Sequence, residues 1–142
     1  MGTRAIYWDA SALVAVLFVE ERSAEARGLI QVPAAHLMFS LAWAEVHAIL
    51  ARAMRERRLS PYEAAAAATG LAHGPWRRVR LAPDDDLAAV LARAWPLRGA
   101  DLWHLALSKT LLKDVPELEM ASCDRALAEA AAGEGVRAAA GL

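Results

Sequence analysis

The sequence predicts an α/β fold in three layers, a sandwich in which helices cover both faces of a mostly parallel sheet. Short apolar runs typical of buried strands alternate along the chain with segments of helical periodicity. Parallel strands need such crossover helices, because the chain must return to the starting edge of the sheet between them. No repeat and no linker divides residues 1–142, so we expect a single domain. The hydrophobic content of 57% supplies ample apolar side chains for a core.

The first two strands are predicted at residues 4–8 and 36–39, both of them apolar. Between them we expect a short helix over 11–18 and a second helix that is started by Glu20, Glu21 and Ser23 and ended by Pro33. Each strand leads directly into polar residues, and the carboxyl ends of parallel strands are where such sheets bind their ligands.

Helical periodicity is clearest after the second strand. Ser40 is a suitable N-cap, and the helix is predicted to run to about Arg58. One buried face is indicated by apolar residues at i, i+3, i+4 and i+7, which are Val46, Ile49, Leu50 and Ala53. The next helix should begin at Pro61, with Ser60 and Glu63 as its capping box.

The second half of the chain continues the alternation. Asp84 and the acids after it open a helix through Ala94, and residues 101–113 are apolar on nearly every side, as in a deeply buried helix. The other predicted elements are strands at 78–81, 118–121 and 136–138 and a helix at 124–132.

Composition excludes several classes of protein. No apolar run reaches the roughly 18 to 20 residues that cross a bilayer. The run from Leu13 to Val19 is too short and too early for a secretory signal, so we expect a cytoplasmic protein without a membrane partner. Cys123 is the only cysteine, which excludes an internal disulfide and a cysteine-based zinc site. The net charge of −1 gives no general attraction to nucleic acid, so binding RNA requires a local basic patch.

Four acidic residues stand just after predicted strands or at the starts of predicted helices: Asp9, Glu45, Asp101 and Asp124. Each has an ordinary structural explanation by itself, because an acid at a helix N-terminus caps the helix or interacts favourably with its dipole. In a parallel sheet these places lie at one edge, so four carboxylates would converge there and repel unless a cation neutralised them. Oxygen ligands favour Mg²⁺ or Mn²⁺ over zinc, and such an ion supports phosphodiester hydrolysis.

Four segments carry a family resemblance, in order along the chain. They are Tyr7-Trp8-Asp9-Ala10-Ser11-Ala12-Leu13, Ser40-Leu41-Ala42-Trp43-Ala44-Glu45-Val46, Gly99-Ala100-Asp101-Leu102-Trp103-His104-Leu105-Ala106 and Ala121-Ser122-Cys123-Asp124-Arg125-Ala126-Leu127. Together they resemble the successive motifs of PIN-domain ribonucleases. They are most similar to the toxin half of the bacterial and archaeal VapBC toxin–antitoxin pairs, and the resemblance covers nearly the whole chain.

The resemblance implies a five-stranded parallel sheet in an α/β/α sandwich and a Mg²⁺- or Mn²⁺-dependent endonuclease acting on RNA. It also implies a homodimer and a small cognate antitoxin that binds across the active site. The acidic quartet of the family falls on Asp9, Glu45, Asp101 and Asp124. Ser11 and Ser122 match positions where a hydroxyl usually supports the site. Cys123 and His47 depart from the usual pattern, but neither belongs to the quartet.

The roles of the four acids are a hypothesis, because the sequence does not rank metal ligands. Asp9, Asp101 and Asp124 would hold the principal metal, directly or through water. Glu45 would complete the site or orient the attacking water.

Three arginines could lead an RNA backbone toward the acids. Arg52 lies seven residues after Glu45, which places it on the same helix face about 10 Å away at the usual rise per residue. Arg55 could join it, as could Arg98 through its position near Asp101. A solvated basic helix end explains Arg52 and Arg55 equally well.

Other interpretations fit parts of the pattern. A dehalogenase-type phosphatase would use Asp9 as nucleophile, but it requires a second aspartate where Ser11 stands. A non-catalytic binding module would be expected to lack at least one of the four acids, whereas a housekeeping RNA-processing nuclease would keep them all. His104 could share a metal with Asp101, although a packed, hydrogen-bonded core histidine is the commoner role. Cys123 has no accompanying histidine motif, which favours an inert thiol over a nucleophile.

Overall fold

The apolar segment before Asp9 forms the central strand of a parallel sheet. The computed structural model describes residues 3–142, so residues 1 and 2 of the expected domain lie outside the described part. The strands are β1 (Ala5–Trp8), β2 (Ala35–Phe39), β3 (Arg77–Val79), β4 (Glu119–Ala121) and β5 (Arg137–Ala138). The helices are α1 (Ala10–Leu17), α2 (Ser23–Ile30), α3 (Ser40–Arg55), α4 (Pro61–His73), α5 (Asp85–Ala94), α6 (Gly99–Leu111) and α7 (Arg125–Gly133). All strand pairs are parallel, which confirms the predicted fold class.

The strand order, β3-β2-β1-β4-β5, places a topological switch point beside β1. The chain adds β2 and β3 on one side of β1 and then crosses to the other side for β4 and β5. Such a switch point leaves a crevice at the carboxyl ends of the two strands that flank it. Trp8 and Ala121 are paired at the ends of β1 and β4, and the backbone N–H of Asp9 donates to the Ala121 carbonyl at 3.1 Å. The residues that follow both strands therefore meet at this point.

Alternate side chains of β1 face two separate cores. Ile6 and Trp8 pack with helices α1 to α4 on one face of the sheet. Ala5 and Tyr7 pack with α5 to α7 on the other face. A strand that is buried on both faces needs an uninterrupted apolar sequence, which explains the composition of this segment. Within residues 3–142, no helix is long and apolar enough to cross a membrane.

The structure corrects the starts and the ends of two predicted helices, α3 and α6, and α6 ends at Leu111 rather than at residue 113. Ser40 is the first residue of α3 rather than its N-cap, because the cap position falls on Phe39, whose side chain has no acceptor. The helix α6 begins two residues before Asp101, which therefore lies in the first turn and not at the cap. The predicted continuation of α3 beyond Arg55 is wrong, since the chain turns at Arg57, where φ is 56°.

Candidate active site

Asp9 is the first residue after β1 and the N-cap of α1. Its Oδ1 accepts the backbone N–H of Ala12 at 3.0 Å and the hydroxyl of Ser11 at 2.7 Å. Its Oδ2 accepts the hydroxyl of Ser122 at 2.7 Å. Burial raises the pKa of Asp9, and these three hydrogen bonds oppose the rise. Capping and a role in the site are compatible here, because a carboxylate has about four acceptor positions and only three are used by these donors.

The two serines connect the end of β1 to the loop after β4. While it donates to Asp9, the Ser11 hydroxyl accepts the backbone N–H of Cys123 at 2.8 Å. The Ser122 hydroxyl likewise accepts the backbone N–H of Asp124 at 3.0 Å. Each serine hydroxyl donates one hydrogen bond to Asp9 and accepts one from a backbone N–H of the loop, which fixes residues 122–124 against Asp9. The resemblance implied a supporting role for these two hydroxyls, and this geometry is compatible with it.

Asp101 experiences the negative charges of Asp124 and Asp9. Burial, then the negative charges of Asp124 and Asp9, raise the pKa of Asp101. The charges of Arg98 and His104 lower it. Asp124 also caps α7, and its Oδ1 accepts a backbone N–H of the first turn at 3.1 Å. We refer to Asp9, Asp101 and Asp124 as the acid cluster, which lies at the switch point of the sheet.

Glu45 is linked to the opposite face of the sheet through His104. Its Oε1 lies 2.6 Å from Nε2 of the histidine ring, whose Nδ1 lies 2.7 Å from the hydroxyl of Tyr7. Only 1% of His104 is exposed, so it is the packed core histidine expected from the sequence. Burial, with the charges of Asp9 and Glu45, raises the pKa of Tyr7 well above its ordinary value.

Sequence reasoning missed the contact between His104 and Glu45 and the contribution of Tyr7. A partial signal was present. Period-two alternation along β1 places Tyr7 and Ala5 on one face, and that face packs on the helix that carries His104. The position of Glu45 relative to that face depends on helix packing, for which the sequence contains no local pattern.

The three predicted RNA-binding arginines lie in different settings. Arg98 is the cap residue of α6, and its charge acts on Asp101. Arg52 is exposed and donates to Glu56 at 2.8 Å, and Arg55 is an exposed residue in the same last turn of α3. The structure therefore associates Arg98 with the acid cluster, whereas Arg52 is engaged elsewhere.

A second basic feature, which the sequence reasoning did not identify, lies at the carboxyl ends of β2 and β3. The guanidinium of Arg78 lies over the Trp43 ring, 3.8 Å from its centroid. Arg78, Arg80, Trp43 and Ser40 are among the residues that line a cavity of about 300 Å³. The available signal was the i, i+2 spacing of two arginines along a strand.

The donor chemistry of the acid cluster fits a hard divalent cation. All the donors are carboxylate oxygens, and the repulsion felt by Asp101 is of the kind that a cation relieves. Across residues 3–142, however, no three His, Cys, Asp or Glu side chains stand close enough to form a ready-made metal cage. Mg²⁺ usually keeps several waters and uses one or two carboxylates, so it does not require such a cage, whereas structural zinc does.

Comparisons with known proteins agree with this architecture. No family model matches the chain. The crystal structure of PAE2754 from Pyrobaculum aerophilum superimposes with a TM-score of 0.67 at 16% identity, over 95% of this chain and 83% of that chain. This likeness supports a PIN-like fold.

Two curated proteins of Mycobacterium tuberculosis provide the sequence comparison. They are Ribonuclease VapC45 of strain CDC 1551 / Oshkosh and Ribonuclease VapC49 of strain ATCC 25618 / H37Rv. Each is 39% identical to this chain over 138 residues, which cover 94% of this chain and 94% of the relative. The resemblance found in the four motifs is thereby confirmed over nearly the full length. The chain belongs to the VapC family of ribonucleases.

Proposed function

We propose that the protein is a Mg²⁺- or Mn²⁺-dependent endoribonuclease and the toxin of a type II toxin–antitoxin pair. Its family supports RNA as the substrate, since both relatives are named ribonucleases. The observation that carries the metal-dependent part is the acid cluster, in which the charges of Asp124 and Asp9 raise the pKa of Asp101. A bound divalent cation would remove this repulsion at the place where hydrolysis of a phosphodiester needs positive charge.

In this proposal, side chains of this protein hold the metal ion and orient the attacking water. When bound, the metal supplies electrophilic activation of a phosphoryl oxygen. Asp9, Asp101 and Asp124 would hold it, and Asp9 is already fixed by three hydrogen bonds before substrate arrives. The Glu45 side chain is 27% exposed and held by His104, which suits a residue that orients the attacking water.

The substrate backbone would contact local basic residues, because the net charge of the chain is −1. Arg98 is associated with the acid cluster through Asp101. Arg78 and Arg80 lie at the carboxyl ends of the strands, beside the start of α3. We propose that these three contact phosphates, and that Arg52 and Arg55 contribute less.

We also propose that the protein acts in the cytoplasm as a homodimer and binds a cognate antitoxin. An apolar surface supports a protein partner. A cavity of about 870 Å³ is lined by residues of α1, α2 and α4, and among its lining residues Val19 is 87% exposed and Tyr62 is 83% exposed. Large exposed apolar patches are typical of interaction sites.

Cleavage of RNA by the purified protein tests the proposal. We expect cleavage with Mg²⁺ or Mn²⁺, none with EDTA, and none from a folded Asp9→Asn variant. Asp84→Asn is the matched control, because Asp84 caps α5 in the same way but lies outside the acid cluster. A fully active Asp9→Asn protein, or cleavage that is indifferent to EDTA, would overturn the proposal. Mn²⁺ should also raise the melting temperature of the wild type and not that of Asp9→Asn.

A further inference from the structure

His104 connects two side chains that come from distant parts of the chain. Its Nδ1 lies 2.7 Å from the Tyr7 hydroxyl and its Nε2 lies 2.6 Å from Oε1 of Glu45. Tyr7 and His104 are fully buried, whereas the Glu45 side chain is 27% exposed. The hydrogen bonds therefore run from the core to a carboxylate that solvent can reach.

We propose that His104 is a positioning residue that holds Glu45 through its Nε2–H, and that the Tyr7 hydroxyl fixes the ring tautomer which makes this bond. The inference rests on the proposed function, in which Glu45 belongs to the catalytic site. It concerns the orientation of Glu45 and adds a buried support that the four acidic motifs do not contain.

The positions of the protons follow from the chemistry of the three groups. A neutral imidazole has one N–H donor and one acceptor nitrogen, and a phenol has one proton to donate. In the described part of the chain, Nδ1 of His104 is the hydrogen-bond partner of the Tyr7 hydroxyl. When the phenol donates to Nδ1, the ring proton must be on Nε2, where it is donated to the carboxylate of Glu45. A doubly protonated ring would make the phenol an acceptor and leave its own proton unpaired in the core.

Holding one oxygen of Glu45 has a direct consequence for the other. A glutamate on a helix surface has three rotatable side-chain bonds and samples many rotamers. The bond from His104 restricts this freedom at Oε1, and among residues 3–142 no protein partner is bonded to Oε2. That oxygen remains available to a water molecule or a cation, in an orientation that the buried pair has already selected.

His36 provides a matched internal control. It is also a buried histidine beside an aromatic residue of β1, since Nδ1 accepts the Trp8 indole N–H at 3.0 Å and Nε2 lies 2.9 Å from the Val32 carbonyl. The same reasoning assigns the proton of His36 to Nε2. Its contacts lie in the core that packs with α1 to α4, away from Tyr7.

Nitrogen NMR of the metal-free protein, with ¹⁵N-labelled histidine, tests the tautomer independently of any activity. We expect both buried histidines to show a protonated Nε2 and an unprotonated Nδ1. Tyr7→Phe removes only the hydroxyl and should change the Nδ1 signal of His104 while leaving His36 unchanged. A protonated Nδ1 in His104 of the wild type would overturn the inference, as would a Tyr7→Phe spectrum identical to that of the wild type.

Substitutions at His104 test whether it positions Glu45. His104→Leu should lower kcat for RNA cleavage and raise the half-saturating Mn²⁺ concentration, each by about 10- to 100-fold, with KM for RNA unchanged. His104→Gln retains an N–H near the position of Nε2 and should recover most of both losses. His36→Leu should lower the melting temperature comparably and leave kcat at the wild-type value.

The outcomes separate this inference from the proposed function. A folded His104→Leu protein with wild-type kcat and Mn²⁺ dependence would overturn the inference, and so would a His104→Gln protein no better than His104→Leu. If His104→Leu does not fold, the comparison of His104→Gln and Tyr7→Phe with the wild type decides. A wild-type protein that does not cleave RNA would count against the proposed function, whereas the NMR comparison and the Mn²⁺-induced rise in melting temperature of each variant would still decide the inference.

Discussion

The hydroxyl of Ser122 donates a 2.7 Å hydrogen bond to Oδ2 of Asp9 and accepts the backbone N–H of Asp124 at 3.0 Å. Asp9 follows β1 and Ser122 follows β4, so this bond connects the ends of the two strands that flank the switch point of the sheet. One hydroxyl thus fixes the orientation of a buried carboxylate and the shape of the loop that carries another acid. These bonds connect the ends of the strands β1 and β4, and they also orient the candidate active site. A substitution at Ser122 should therefore affect both the stability of the fold and the site.

Ser122→Ala should destabilise the protein and raise the pKa of Asp9 further. The change leaves a backbone N–H and a carboxylate oxygen without their partner, at a cost of about 1 to 3 kcal/mol in the free energy of unfolding. The Ser122 bond lowers the pKa of Asp9, so its loss acts in the opposite direction. Urea unfolding and an NMR titration of Asp9 measure the two effects. Ser60→Ala, which removes an exposed cap, should destabilise without moving this pKa; equal shifts in both variants would contradict the prediction.

Asp101→Asn should stabilise the metal-free protein. The substitution removes the repulsion that Asp101 experiences from Asp124 and Asp9, while an amide keeps the shape of the side chain. The melting temperature in EDTA should rise, and the additional rise caused by Mn²⁺ should shrink. Asp86→Asn is the control. Asp86 also lies in the first turn of a helix, where its negative charge interacts favourably with the helix dipole, so its removal should not stabilise the protein. A lower melting temperature for Asp101→Asn in EDTA would show that the repulsion is unimportant.

In the metal-free protein, ionisation of Asp9 and Asp101 should destabilise the folded state by an amount that depends on pH. Both pKa values are raised in the folded state. At pH values between the ordinary and the raised pKa, the folded protein therefore binds more protons than the unfolded chain. Their contribution therefore falls as pH rises from the ordinary value of about 3.9 through the raised values, and is constant above them.

Unfolding experiments over a pH series measure this cost. Glu119, whose pKa is lowered by Arg4, acts in the opposite direction, so the informative quantity is the difference between the wild type and Asp101→Asn. That difference should grow with pH across the window. A constant difference in the free energy of unfolding from pH 3 to pH 8 would show that the pKa of Asp101 is not raised.

Arg98→Ala should weaken RNA binding more than Arg52→Ala. The charge of Arg98 acts at Asp101, whereas Arg52 is paired with Glu56 on an exposed surface. Loss of one phosphate contact should reduce the slope of log K against log salt concentration by about one. Binding to an uncleavable RNA at several salt concentrations measures this. Arg125→Ala, at an exposed arginine paired with Glu129, serves as a control; an equal loss in all three variants would mean that only net charge matters.

Cys123 should be chemically inert and dispensable. Burial, then the charge of Asp9, raises the pKa of its thiol to about 11, so very little thiolate exists near neutral pH. We expect slow alkylation by iodoacetamide at pH 7 and unchanged RNA cleavage by Cys123→Ala, because the hydrogen bond at this residue uses its backbone N–H. Inactivation of the wild type by rapid alkylation, with protection in the alanine variant, would instead indicate an active thiol.

The sequence predicted the fold class because periodicity is a local property. The apolar run of β1 and the apolar stripe of α3 require only neighbouring residues, and both were correctly interpreted. Capping was predicted where an acceptor side chain precedes the helix directly, as at Ser60 and Asp84. It failed at Ser40, because the strand before it ends only one residue earlier and the extended cap conformation falls on Phe39.

By itself, the sequence indicated where most strands end and most helices begin, and hence that acids such as Asp9 and Asp124 follow β1 and β4. Only the tertiary structure decided which of these ends are neighbours, because strand order depends on how all the helices pack and not on any local pattern. The same holds for the buried contacts of His104, which lies 97 residues from Tyr7 and 59 from Glu45 along the chain. Hydrogen bonds over such separations form where two packed layers are in contact. No periodicity in the sequence determines which residues of the two layers come into contact.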